Sequence, residues 1–194
     1  MFSVVMIMAL VLATMVGPKG PQGHFVIAQD NKFSIEDYYK INTGSTFIYK
    51  RVMTMKDDNG TVIVKTLKSE VTKSTAKSTY YDTVGVHFDG VYLVIGTVNG
   101  DDIVPNARIL KANMKPGDTW ELSAIETSVE TKATFVGYEK LEVGAGKFDT
   151  VHLKFEYDGQ TTHYWYAAKV GLVKTTMDSD SFSGVQTLEK YTLK

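Results

Sequence analysis

Residues 136–174, VGYEKLEVGAGKFDTVHLKFEYDGQTTHYWYAAKVGLVK, restrict the chain to an antiparallel sheet more tightly than any other stretch. From Val151 the apolar side chains fall on every second residue, Val151, Leu153, Phe155 and Tyr157, with His152, Lys154 and Glu156 on the other parity. Successive β side chains point to opposite faces, so this is the pattern of a half-buried strand. Asp158-Gly159 then offers the positive φ angles of a two-residue hairpin turn. That turn fixes a register. Tyr157 should face Gln160, Leu153 should face Tyr164 and Val151 should face Tyr166, while Lys154 meets His163 and His152 meets Trp165 on the other side.

The rest of the chain repeats this grammar. Candidate strands run over 45–56, 61–72, 77–83, 90–97, 118–125, 128–143, 149–157, 160–167, 171–178 and 185–193. Turn chemistry at Asp57-Asp58-Asn59-Gly60, Asp89-Gly90, Pro116-Gly117-Asp118, Gly144-Ala145-Gly146 and Asp158-Gly159 separates most of them. Ser34 to Tyr39 can form one helical turn with Ser34 as its N-cap. The expected fold class is all-β, antiparallel meanders forming a curved clam or incomplete barrel with little helix. The 194 residues, 43% hydrophobic, suffice for one core.

The N-terminus is read apart. Residues 2–16, FSVVMIMALVLATMV, carry no charge and would span roughly 22 Å as a helix, short of a bilayer core of about 30 Å. A signal-peptide core fits better than a stable span. Cleavage after Ala28 is the first choice and Gly17 the alternative, giving residues 1–28 as signal peptide and linker and 29–194 as a single all-β domain. The sequence has no cysteine, so acylation of a Cys after the signal, disulfides and thiolate metal sites are not expected. The expected location is secreted or periplasmic, in a bacterial cell envelope, with no stable membrane span after processing. The net charge is −1 with both signs interspersed, which leaves no basic stripe for nucleic acid.

Two segments resemble one another. INTGSTF (41–47) and MKPGDTW (114–120) each place an aromatic three residues after a turn glycine. Two similar meanders, each opening on a plug aromatic and facing each other as half-sheets, would produce the clam; chance convergence of turn chemistry is the alternative. KPGDTW (115–120), VGYEKLEVGAGKFDTVHLKFEY (136–157) and YWYAAKVGLVK (164–174) together resemble uncharacterised bacterial cell-envelope β proteins of the TapB-like type. Gly144 stands where that pattern has Pro, and Ala168-Lys169 where it has Pro-Gly; both changes fall in turns. The resemblance spans roughly residues 38–194. It implies an exported clam or barrel-like domain and brings no activity and no functional residues with it.

Chemistry-bearing motifs are sparse. The sequence has no G-x-S-x-G elbow, H-E-x-x-H helix, P-loop or dinucleotide fingerprint. His152 and His163 fall on one face as diagonal neighbours, but zinc wants three or four ligands, so no metal and no cofactor is expected. The Asp57–Gly60 turn lacks the spaced ligands of a calcium loop. Aromatics are more suggestive. In Tyr164-Trp165-Tyr166 the central ring must point opposite to its neighbours, so one face of that strand offers aromatic surface to solvent or to a cavity, unless the rings simply pack.

The chain is therefore expected to be a non-enzymatic, exported β protein that binds an apolar or amphipathic ligand, a lipid or similar small molecule. The candidate ligand-binding residues are Phe47, Met53, Met55, Trp120, Tyr164, Trp165 and Tyr166. The same residues can instead fill a solid core. The alternatives are a protein-interaction module with an envelope partner, using a strand edge or the Trp165 face, and, behind it, a hydrolase with His152 or His163 beside a nucleophile.

Overall fold

The computed structural model describes residues 34–194 apart from 57, 58, 127 and 159. The signal-peptide and linker segment 1–28 lies outside the described residues, as do Asp57 and Asp58 of the Asx-rich turn and Gly159 of the hairpin turn. A 3-10 turn, Ile35–Tyr38, precedes the first strand; Ser34 makes no side-chain cap there, and its carbonyl instead accepts from Asp37 N at 3.1 Å.

The chain then builds two antiparallel sheets in three passes. β1 (Thr46–Met55) and β2 (Val62–Glu70) form a hairpin. β3 (Lys73–Ser74), β4 (Ser78–Tyr80), β5 (Val84–Phe88), β6 (Tyr92–Asn99) and β7 (Asp102–Lys111) form a five-stranded meander in sequence order. The return pass is β8 (Thr119–Trp120), β9 (Thr131–Val143), β10 (Gly146–Tyr157), β11 (Gln160–Ala167), β12 (Gly171–Asp178) and β13 (Phe182–Thr192). β13 pairs with β1, so the larger sheet has eight strands in the order β2-β1-β13-β12-β11-β10-β9-β8 and is not closed into a barrel. The all-β curved fold is as the sequence patterning implied.

The β10–β11 hairpin has the register its turn dictates: Tyr157 opposite Gln160, Lys154 opposite His163, Leu153 opposite Tyr164, His152 opposite Trp165 and Val151 opposite Tyr166. Asp158 carries the positive φ, 50°. β7 escaped the strand pattern because of Pro105, which lacks a ladder donor. It is tolerated because β7 is the outer strand of its sheet and Pro105 sits opposite Gly96 at a bulge.

The two glycine motifs have the same local geometry. Gly44 and Gly117 sit at φ 82° and 93°, in turns closed by Ser45 N to Asn42 O at 3.1 Å and Asp118 N to Lys115 O at 2.9 Å. Each glycine N–H donates to a later carbonyl, Gly44 to Val71 O just past β2 and Gly117 to Phe135 O in β9, both at 2.8 Å; the Val71 and Phe135 N–H groups return to Ser45 O and Asp118 O at 2.9 Å. Phe47 and Trp120 are then driven inside at 1% and 6% exposure. Both motifs nevertheless launch strands of the same eight-stranded sheet rather than one of each half of the clam. The opposing sheet is β3–β7, to which neither motif contributes a strand.

The sheets are seamed along one side. Ala107 of β7 bridges to Ser123, with Arg108 N donating to Leu122 O at 2.7 Å and Ala124 N to Asn106 O at 3.0 Å. Beside this seam lies the main core, in which Val86, Leu93, Ile109 and Leu110 of the small sheet meet Trp120, Phe135, Val151, Leu153 and Phe155 of the large one and Leu122 of the segment after β8. A second cluster of Ile41, Phe47, Val71, Ala167, Val170, Val173 and Leu188 has Tyr49 and Tyr81 packed against it.

Candidate functional site

Register carries a graded row of side chains across the inner face of the large sheet. Arg51 of β1 stands opposite Gln186, which stands opposite Thr175, then Tyr164, Leu153 and Phe135. At the seam the row is apolar and covered. Away from the seam, where β1 and β13 face β5 and β6, the sheets part around a cavity of about 740 Å³. Small-molecule sites occupy roughly 300–1,000 Å³.

The large sheet lines this cavity with Tyr49, Arg51, Leu67, Tyr166, Leu172 and Gln186; the small sheet lines it with Val84, Val86, Leu93, Ile95 and Ile109. Tyr38 and Tyr81 complete the wall, and the exposed side chains of Lys68, Glu70, Asp82 and Thr83 mark its mouth. Tyr49 donates its hydroxyl to Leu172 O at 3.1 Å, which fixes its ring. Burial pushes the Tyr81 phenol up to about 12 and raises Tyr49 and Tyr166 further, so these phenols stay neutral at physiological pH.

Arg51 differs from its surroundings. Its Nε and Nη2 donate to the single acceptor Gln186 Oε1 at 2.9 and 2.6 Å. No carboxylate pairs with it among the described residues. Burial lowers its pKa, with Tyr164 acting in the opposite sense, yet a guanidinium starts above 12 and remains charged.

The seven candidate residues do not gather at one place. Tyr166 lines the cavity. Phe47 belongs to the second hydrophobic cluster. Trp120 lies in the main core with its Nε1 donating to Arg108 O at 2.8 Å, and Tyr164 packs against that core with its ring 4.6 Å from Phe155. Met53 and Met55 are half-buried further along β1, Met53 beside Gly184, where the lack of a side chain leaves room for it and Met177. Tyr49, Arg51, Tyr81 and Gln186 were not singled out from sequence. A signal for two of them existed: Phe47, Tyr49, Arg51, Met53 and Met55 share one parity of β1, and Arg51 is a lone charge on that largely apolar face.

Trp165 points to the outer face, as the alternation requires, but is only 7% exposed. His152 stacks on it at 4.4 Å and 15°, Lys174 Nζ lies 4.9 Å from its ring centre, and its Nε1 donates to Glu139 Oε2 at 2.7 Å. His152 Nε2 and His163 Nδ1 share a 2.8 Å hydrogen bond, and His152 Nδ1 lies 3.4 Å from Glu139 Oε2. Despite that carboxylate, burial, then His163 and Lys174, depress the His152 pKa to about 4; burial and Lys154 lower His163. Both imidazoles are neutral at pH 7. No group of three or more His, Asp or Glu side chains suited to a metal occurs among the described residues. On the small sheet, Ser78 Oγ lies 2.9 Å from His87 Nδ1 as a cross-strand pair; no carboxylate bonds His87 among the described residues.

No protein-family model matches the sequence, and no curated protein matches it. Solved structures do. A Bacteroides fragilis protein classed as exported, with a YmcC-like fold, aligns at TM-score 0.52 and 15% identity over 80% of this chain and 98% of its own. A Parabacteroides distasonis protein classed as a lipoprotein aligns at TM-score 0.45 and 12% identity, over 80% and 98%. The hypothetical lipoprotein YmcC of Escherichia coli aligns at TM-score 0.30 and 13% identity, over 76% and 84%. The first of these gives the chain a YmcC-like fold.

Proposed function

We propose that this protein is an exported, non-enzymatic binder of an apolar or amphipathic small molecule, working in a bacterial envelope and holding its ligand between the two sheets. The observation that carries this reading is the 740 Å³ cavity, walled by tyrosines and aliphatic side chains and edged by exposed polar ones. Burying apolar ligand surface there supplies roughly 25 cal/mol per Å² removed from water. The exported class of the B. fragilis protein with the similar fold supports the location. On the outer face His152 and His163 bond each other, and His152 lies beside Glu139, an arrangement that serves to cover Trp165.

Native mass spectrometry of the full chain, purified from its source without detergent, tests the reading. Loaded and bare masses should both appear, with an apolar molecule recovered on organic extraction. A bare mass alone, joined to no uptake of added fatty acid, alcohol or lysolipid, would reject it. The second reading, an interaction module, is favoured by the edge strand β2, where Val62 and Val64 are 58% and 59% exposed. Its test is partner capture by the wild type and by Val64→Lys, with cavity binding measured in parallel.

A further inference from the structure

We infer that the ligand carries an anionic oxygen head, a carboxylate or phosphate on a single alkyl chain, and that Arg51 is the group that receives it. This rests on the cavity being the ligand site. Among its lining residues, Arg51, Lys68, Glu70 and Asp82 are the groups that ordinarily carry charge. Lys68 pairs with Glu70 at 3.1 Å at the mouth, and Asp82 is exposed there. Behind them the wall is neutral, because its phenols stay protonated. Among the described residues Arg51 therefore supplies the one charge inside the mouth of the cavity.

That charge is held but not neutralised. Of the five N–H donors on a guanidinium, two go to Gln186 Oε1. No other partner for Arg51 occurs among the described residues, and no buried side-chain nitrogen or oxygen there lacks one. Its Nη1, which carries two of the remaining N–H groups, is thus accessible to solvent, on a residue that lines the cavity. Gln186 anchors the Nε/Nη2 edge of the guanidinium without cancelling its charge, which leaves the Nη1 end to donate charge-assisted N–H···O bonds to an oxyanion. A partly buried cation lacking a counter-ion carries some desolvation cost, and an incoming anion offsets it. Val86, Leu93, Ile95 and Ile109 on the facing sheet then take the chain.

The test compares dodecanoate, dodecyl phosphate and dodecanol, each below its micelle concentration, against wild type, Arg51→Gln and Arg51→Lys by calorimetry. Wild type should bind at least one of the two anions roughly tenfold or more tightly than the alcohol. Arg51→Gln should abolish that difference while keeping the alcohol affinity, which also shows that the variant is folded. Arg51→Lys should retain part of it. The stronger of the two anions identifies the head. Equal binding of acid, phosphate and alcohol by wild type, or a preference that survives in Arg51→Gln, would overturn the assignment and leave the cavity reading standing. Binding of none of the three would overturn the cavity reading and this inference with it.

Discussion

The two ends of the inter-sheet space are built from the same two sheets and differ in what fills them. Beside the β7–Ser123 seam, Phe135, Leu153 and Ala133, all 0% exposed, share one core with Leu110. At the far end the same large sheet offers Tyr49, Arg51 and Gln186, and the small sheet does not come down to meet them. A short connection lets two twisted sheets pack closely near the joint; away from it their twist carries them apart. One end supplies stability and the other room.

Breaking the closed end should have the largest effect. Phe135→Ala is expected to cost about 3–5 kcal/mol in a denaturant titration, because the site is enclosed on all sides. Volume added at each end separates them further. Ala133→Leu should destabilise by about 1–3 kcal/mol through overpacking, whereas Ile95→Trp should change stability by no more than about 1 kcal/mol, since the ring can enter the cavity, and should abolish uptake of an apolar probe. Equal costs for these two would erase the distinction between the ends.

How much of this was legible in the sequence follows the same division. The β10–β11 register could be derived because a two-residue turn and strict alternation are local. The paired glycine turns could be found because both recur as short motifs, although the sheet each strand joins is a non-local choice. The covering of Trp165 was hidden, since Glu139 and Lys174 arrive from strands on either side of β11. The cavity was hidden for a related reason: its upper wall depends on where β5 and β6 land. Tyr49 and Arg51 were within reach, as an aromatic and a lone charge on the inward parity of β1.

Smaller effects sharpen the comparison. Tyr49→Phe removes the bond to Leu172 O and should cost about 1 kcal/mol in thermal unfolding, with the cavity retained. On the outer face, His152 has its pKa depressed to about 4 in the folded chain against an ordinary 6.5. Between these values the unfolded chain binds a proton that the folded one does not. The His152 contribution is therefore fully present above pH 6.5 and is lost as pH falls through that window to about 4. His152→Gln should lose less stability than wild type over the same range, on the order of 1 kcal/mol less after allowing for its partial exposure. Parallel pH profiles would place the acid sensitivity elsewhere.

The central claim, that the open end is a ligand site and not slack packing, is tested most directly by titrating an environment-sensitive apolar fluorophore into wild type, Ile95→Trp and Val64→Trp. The account predicts saturable one-to-one binding by wild type, its loss in Ile95→Trp, where the cavity is filled, and its retention in Val64→Trp, on the exposed edge strand. Binding that persists unchanged when the cavity is filled would contradict it.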